Sequence, residues 1–119
     1  MMRKQNNGLR KKLNKKGSGT LFKNEKPRYI TRAVGEELSI EHQQFIFNYI
    51  HEHKAKMNDY FQIFNFYIEN DEQWLIQMQE KPKRETTVFV PLKRSVPINR
   101  KVWIMDQVDH LIMLFPEDY

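Results

Sequence analysis

The chain has 119 residues, a length that indicates a single domain. It contains no cysteine, which excludes a disulfide framework and a thiolate zinc site. No apolar run approaches the roughly 18 residues that span a membrane, and no apolar segment follows the basic start as it would in a signal peptide. We therefore expect a soluble, cytoplasmic protein without membrane contact.

Positive charge is concentrated at the N-terminus. The whole chain has a net charge of +5, but residues 1–26 hold nine basic residues and one acid, a balance of +8, which leaves −3 for the rest. Large apolar side chains are rare in this segment, so burial cannot offset the entropy of ordering it. We predict a basic, disordered leader over residues 1–26 and a single compact domain over residues 27–119.

Three interpretations of the leader remain open. A block of Lys and Arg neutralises phosphates and releases counterions, so the leader could bind nucleic acid, helped by basic residues between 81 and 101. The candidate contacts are Arg10, Lys11, Lys12, Lys15 and Lys16. It could also be a solvated tail. In the third interpretation translation starts at Leu21, because codons for residues 15–17 can form a purine-rich ribosome-binding sequence; the intact mass of the native protein tests this.

The first predicted elements are a strand and a helix. Residues 27–34 alternate as in a strand that Gly35 ends. Ser39 is a typical helix N-cap, and apolar residues at helical spacing predict a helix from about residue 40 to 57. Its apolar stripe would cover one face of a sheet.

Residues 60–79 predict two strands joined by a polar turn. Both faces of the first strand carry aromatic or branched side chains, so we expect a central strand that is covered on both sides. In the second strand, two sets of side chains alternate: Trp74, Ile76 and Met78 on one face, and Gln73, Gln77 and Gln79 on the other. We expect the glutamines to face water.

Three further strands follow. Pro91 cannot donate to a ladder, which places the strand over residues 85–92 at an edge or at its end. Residues 102–106 and 110–115 predict a second hairpin. Short connections favour antiparallel neighbours, and only the crossover through the helix could be parallel or end at the far edge. The fold class is therefore α+β, with one helix packed on a mainly antiparallel sheet of about five to six short strands.

No residue pattern indicates catalysis or metal binding. His51 and His53 lie about 200° apart around the helix and cannot chelate one ion together. His110 opens a strand, with Asp106 and Asp109 nearby across the turn, and an Asp–His pair could transfer protons, but charged side chains in a hairpin turn are usually solvated. Glycines form no phosphate-binding loop within the domain. We predict a protein that is not an enzyme, with no catalytic residue, cofactor or metal.

Aromatic residues are unusually frequent, and all except Phe22 lie in residues 27–119. Aromatic side chains on a sheet can stack on bases; the candidates would be Tyr60, Phe61, Phe64, Phe66 and Tyr67. Such platforms are framed by Lys and Arg, and residues 60–79 contain neither. We favour a role in the core, with any surplus apolar face serving as an interface for a protein partner or a second copy.

Three segments together resemble a known family: RYITRAV, QQFIFNYI, and KVWIMD with MLFPEDY. Over about residues 28–119 the chain is similar to a family of Firmicutes and their phages and mobile elements called domain of unknown function nine-sixty. The resemblance implies a compact α+β fold and a bacterial or phage origin, but no activity. We expect a small accessory protein that binds an unknown protein partner or itself, with nucleic-acid binding through the leader as the alternative.

Overall fold

A computed structural model describes residues 21–23 and 25–119 of the chain. The elements are, in order, β1 (Arg28–Ile30), α1 (Arg32–Glu37), α2 (Ile40–His53), β2 (Phe61–Glu69), β3 (Glu72–Glu80), β4 (Lys83–Phe89), β5 (Arg100–Asp106) and β6 (Leu111–Leu114). Short 3-10 turns follow α2 and β6. The predicted α+β fold, with one main helix on a mostly antiparallel sheet, is confirmed.

The six strands form one sheet in the order β1-β6-β5-β2-β3-β4. β1 and β6 are parallel, and every other neighbouring pair is antiparallel. β2 is central and β4 is an edge strand, both as predicted. The chain passes from β1 at one edge through the helices to β2, three places along the sheet. The pairings make β1 and β2 run in the same direction, so this crossover is parallel and ends inside the sheet rather than at the far edge.

Helix α2 begins where the sequence predicts. Ser39 Oγ accepts a hydrogen bond from the backbone N–H of His42 at 3.0 Å, which satisfies a donor that the helix leaves free. Ile46 and Ile50 are buried in the core. The α-helix ends at His53 and continues as a 3-10 turn over Lys54–Lys56, so the predicted span is correct to within a turn.

The predicted strand over residues 27–34 is wrong in its second half. Thr31 Oγ1 accepts a hydrogen bond from the backbone N–H of Val34 at 3.2 Å and caps α1, a short helix that the sequence did not predict. Val34 thereby enters the core. Gly35 lies close to β1, since a Cβ at this position would be 3.3 Å from Ile30 Cδ1. A glycine within a short helix hid this element from the sequence pattern.

The predicted orientation of β3 is reversed. The face beneath α2 carries Gln73, Leu75, Gln77 and Gln79, all buried. Trp74 and its alternate neighbours point away from the helices. In β2, Phe64 and Phe66 are buried in the core on the same side, and the expectation that both faces of this strand are covered is also wrong.

The buried glutamines satisfy one another. Gln77 Nε2 donates to Gln62 Oε1 at 2.6 Å, and Gln62 Nε2 donates to Gln79 Oε1 at 2.9 Å. Gln79 Nε2 in turn donates to the carbonyl of Pro82. Burying an amide is tolerated when its hydrogen bonds are made, so this chain of amides replaces an apolar layer beneath α2.

The folded part includes two residues that lie in the predicted leader. Phe22 is buried in the core, and its backbone N–H donates to Asp106 Oδ2 at 2.7 Å. Lys26 Nζ pairs with the same carboxylate at 2.8 Å. Residues 1–20, which contain the candidate nucleic-acid contacts from Arg10 to Lys16, lie outside the described part of the chain.

Candidate functional site

One face of the sheet carries a broad set of apolar side chains that the core does not use. Alternation along each strand places them opposite the helices. This open face consists of Tyr29, Phe61, Ile63, Tyr67, Trp74, Ile76, Met78, Phe89, Trp103, Met105, Ile112 and Leu114. Met105 and Leu114 are themselves buried, and the other ten are partly or largely exposed. The sheet residues of the core cluster, Phe64 and Leu75 among them, all lie on the other face. The core of the described chain is therefore one-sided.

Strand register aligns the open face in rows. Met105 pairs with Phe61 on one side and with Ile112 on the other. In the next row Trp103 lies between Ile63 and Leu114. Cross-strand neighbours of this kind have Cβ atoms about 5 Å apart, so their side chains form one continuous apolar surface.

A second aromatic row lies nearer the edge of the sheet. Trp74 pairs with Tyr67 on β2 and with Phe89 on β4. The rings of Trp74 and Phe89 pack edge to face, with centroids 5.2 Å apart. Phe89 nevertheless remains 44% exposed. The apolar surface thus reaches the outermost strand.

The two tryptophans of the chain both lie on this face. The ring of Trp103 packs edge to face against Phe61, with centroids 4.9 Å apart. Tyr119 lies 5.9 Å from Trp103 on its other side and is 81% exposed. Edge-to-face contacts of this kind are a favoured geometry for aromatic pairs, so the rings stabilise one another on the face.

Charged side chains surround the apolar centre. Lys101 pairs with Asn65 on β2, in a part of β5 that β6 does not pair with. Glu69 and Glu72 lie at the tip of the β2–β3 hairpin, and Glu85 lies on the edge strand. An apolar centre with a charged perimeter is the usual composition of a protein interface.

A hollow of about 360 Å³ opens beside Ile63 and Met78. Its other wall is formed by charged side chains of the β3–β4 turn, including Lys83 and Glu85. A concavity next to an apolar patch can receive a large side chain of a partner, and such pockets often contribute most of the binding energy.

The histidines with defined contacts are bound within the fold. His42 Nε2 lies 2.9 Å from Gln73 Oε1, and its Nδ1 lies 2.6 Å from Ser39 Oγ. His53 Nδ1 contacts the carbonyl of Tyr49 at 2.9 Å. These contacts connect α2 to itself and to β3. Within residues 21–23 and 25–119, no group of three or more His, Asp or Glu side chains could hold a metal ion.

The Asp109–His110 pair exists, but it is not solvated as expected. Asp109 Oδ1 lies 2.7 Å from His110 Nδ1, and His110 is only 4% exposed. Its ring packs edge to face against Tyr29. The other nitrogen, Nε2, is buried and has no hydrogen-bond partner in the described chain. His110 is thus packed within the fold beside β1.

Glu41 is a carboxylate held by several backbone donors. Three consecutive backbone N–H groups, those of Lys93, Arg94 and Ser95, donate to it. These bonds, that of Lys93 first, lower the pKa of Glu41 from 4.5 to about 2. The side chain thereby attaches the β4–β5 connection to the start of α2.

Arg100 connects three parts of the chain. Its guanidinium contacts Glu117 at 2.6 Å and Glu37 at 2.8 Å, and it lies 3.5 Å from the centre of the Phe115 ring. The hydrogen bond from Arg100 lowers the pKa of Glu117. Arg100, one of the basic residues expected to help the leader bind nucleic acid, is therefore already neutralised within the fold.

Comparison with known proteins identifies the family but no activity. A profile described as "Staphylococcal protein of unknown function (DUF960)" matches residues 27–118. The chain belongs to the DUF960 family. This confirms the resemblance carried by the three sequence segments. A search of curated proteins finds no match.

The DUF960 chain also resembles a solved structure, a crystal structure of a protein of unknown function from Enterococcus faecalis. The TM-score is 0.74 at 17% identity, and the match covers 82% of this chain and 94% of the other. At this identity the likeness shows a shared fold alone. No helix in the described part of the DUF960 chain is long and apolar enough to cross a membrane.

Sequence reasoning on this DUF960 protein anticipated a surplus of apolar side chains on the sheet but identified only some of the residues on the open face. Of the five aromatic residues considered for stacking, Phe64 and Phe66 are in the core, whereas Phe61 and Tyr67 lie on the open face. The signal that could have revealed the rest is the cross-strand alignment of Trp74 with Tyr67 and Phe89, which depends on hairpin register.

Proposed function

We propose that this DUF960 protein is a non-enzymatic interaction protein that binds a protein partner through the open face. The observation that carries the proposal is the one-sided core. The helices cover one face of the sheet, and twelve aromatic and aliphatic side chains on the other are left without a covering helix in the described chain. Ten of them remain partly or largely exposed, and a contiguous apolar surface of this kind marks an interaction site.

The composition of the face supports a protein as the ligand. Trp, Tyr, Phe and Met are enriched at protein interfaces, whereas charged residues are depleted at their centres. The open face has both tryptophans and keeps Glu72, Glu85 and Lys101 at its perimeter. A surface for nucleic acid would need Lys and Arg around the aromatic rings to meet the phosphates.

The contacts of the polar side chains also favour binding over catalysis. His42 and His53 hold α2, Glu41 holds the β4–β5 connection, and Arg100 holds the C-terminal turn. Each group has a structural partner, whereas a catalytic group needs access to a substrate.

Site-specific photocrosslinking tests the proposal. A photoreactive phenylalanine analogue is placed at Ile76 on the open face and, as a matched control, at Gln44, an exposed residue of α2. In cells that express the chain, we expect crosslinks to a protein from position 76 and few from position 44. Protein crosslinks from position 44 alone would contradict the proposal.

Nucleic-acid binding through the leader is the second candidate, because residues 1–26 have a balance of +8 while the remainder has −3. A variant that begins at Leu21 removes residues 1–20 but keeps Phe22 and Lys26, which belong to the fold. Binding to a mixed DNA and RNA pool that weakens steeply with salt, and that this variant loses, would favour the second candidate. Equal binding by both forms would show that the leader is not the segment that binds nucleic acid.

A further inference from the structure

We infer that the partner of the open face is a second copy of this chain, packed face to face into a two-sheet sandwich. The inference rests on the proposed function and identifies the protein partner. It follows from the size, the shape and the composition of the open face.

The size of the face matches what a stable dimer needs. With strands about 4.8 Å apart and residues about 3.3 Å apart, the six strands present a flat area of about 600 Å². A standard interface buries about 800 Å² on each partner, so the sheet alone provides most of the area that is needed. A short peptide or a single helix would cover only part of this width.

The shape of the face is complementary to another sheet. A twisted sheet packs well on a second sheet about 10 Å away, with side chains interdigitating between them. The hollow beside Ile63 and Met78 offers a place for a large side chain from the opposing face. A second copy brings such side chains, since Trp103 and Phe61 lie in the rows next to it.

The composition is self-complementary. The centre of the face is apolar on both copies, as in homodimer interfaces. The perimeter holds both signs of charge, with Lys83 and Lys101 against Glu69, Glu72 and Glu85. A second copy therefore offers both cations and anions at its rim. In a two-fold dimer one surface patch serves on both subunits.

Residues 1–20 are a weaker candidate for the same face. They hold seven basic residues and no acid, and their large aliphatic side chains are confined to Leu9 and Leu13 besides two methionines. So few apolar groups cannot cover twelve apolar positions.

Sedimentation equilibrium of the full chain tests the inference. We expect a mass of twice 14.6 kDa for the native sequence. Ile63→Lys and Ile76→Lys put an ammonium group in the centre of the face and should lower the association constant by at least about 30-fold. Gln44→Lys, which adds the same charge on the exposed side of α2, should leave the dimer intact.

Tryptophan fluorescence provides an independent measurement that needs no variant. Because Trp74 and Trp103 both lie on the face, dilution through the dissociation constant should shift their emission to longer wavelength as the mass falls. Circular dichroism checks that each variant is folded. If a lysine variant does not fold, the native chain alone tests the inference. Its mass and its tryptophan emission should then change over the same range of concentration.

Two outcomes overturn the inference. The first is a native chain that remains a monomer up to about 100 μM, a weak affinity for a stable interface. The second is a dimer that survives both lysine substitutions, which would place the contact elsewhere. If the chain is a monomer and position 76 crosslinks to a different protein, the partner is not a second copy, but the proposed function stands. Absence of any protein crosslink from position 76 would refute both.

Discussion

Gln62 and Gln77 lie on adjacent strands and share a buried hydrogen bond of 2.6 Å, with Gln77 Nε2 as the donor and Gln62 Oε1 as the acceptor. The bond joins β2 to β3 through side chains, in addition to the backbone ladder. Since Gln62 also donates to Gln79, it is the central member of the amide chain beneath α2.

Removing Gln62 should therefore destabilise the fold more than its size suggests. Gln62→Ala leaves Gln77 without its side-chain acceptor and Gln79 without its side-chain donor, and an unpaired buried polar group costs about 1–3 kcal/mol. We expect a loss of about 2 kcal/mol or more in the free energy of unfolding, measured in urea. Gln44→Ala, on an exposed position of α2, should stay within about 0.5 kcal/mol. Equal losses would contradict a specific role for the amide chain.

Two isoleucines of the same helix provide a matched test of the core. Ile46 is fully buried, whereas Ile40 is 64% exposed. Ile46→Ala should lower the free energy of unfolding by about 2–5 kcal/mol because it leaves a cavity. Ile40→Ala should change it by no more than about 0.5 kcal/mol. Chemical denaturation of both variants checks this, and similar losses would mean that α2 does not pack on the sheet as described.

The Lys26–Asp106 ion pair should be strongly coupled. Asp106 also accepts from the backbone N–H groups of Phe22 and Val108, and its side chain is fully buried. Asp106→Ala leaves these donors and the ammonium unpaired, which should cost about 3–5 kcal/mol. In the double variant with Lys26→Met the loss should fall short of the sum of the single losses. Additive losses in urea denaturation would show that the pair does not interact.

Acid should weaken the attachment between α2 and the β4–β5 connection. The pKa of Glu41 is about 2 in the folded chain and 4.5 without the fold. A lowered pKa contributes stability that is fully present above about pH 4.5 and is lost as the pH falls through about 2. The difference in melting temperature between the native chain and Glu41→Gln should thus be largest above pH 4.5 and vanish near pH 2.

Glu52→Gln, an exposed position on the same helix, controls for the removal of one negative charge. Thermal melts from pH 7 to pH 2 provide the measurement for all three proteins. A difference between the native chain and Glu41→Gln that stays constant over this range would show that the ionised carboxylate does not hold Lys93, Arg94 and Ser95.

Local signals predicted the elements well where the responsible contacts are local. Ser39 caps α2 through His42, only three residues away, and the apolar stripe of the helix follows from helical spacing. The strands follow from alternation, and the end of β4 at Phe89 follows from Pro91 just beyond it. Contacts between residues far apart in sequence were missed: the backbone N–H of Phe22 donates to Asp106, which lies 84 residues further along the chain.

The orientation of β3 shows what alternation leaves undetermined. Period two identifies which side chains share a face, but the buried face is decided by what packs against it. Gln73 can be buried because His42 Nε2 and the backbone N–H of Ile98 contact its oxygen, while its amide donates to the carbonyls of Tyr67 and Ile98. None of these partners is adjacent in sequence. Trp74 was thereby left outside, and the candidate site lies on the face predicted to be internal.

The position of β1 has a consequence for how the protein is made. Arg28 pairs with Leu111 across the parallel β1–β6 edge, and Thr31 Oγ1 donates to Asp118 Oδ2 at 2.8 Å. The first strand to emerge from the ribosome therefore waits for the last strand before it finds its neighbour. The central hairpin can form during synthesis, whereas closure of the sheet at this edge requires that β6 has been made.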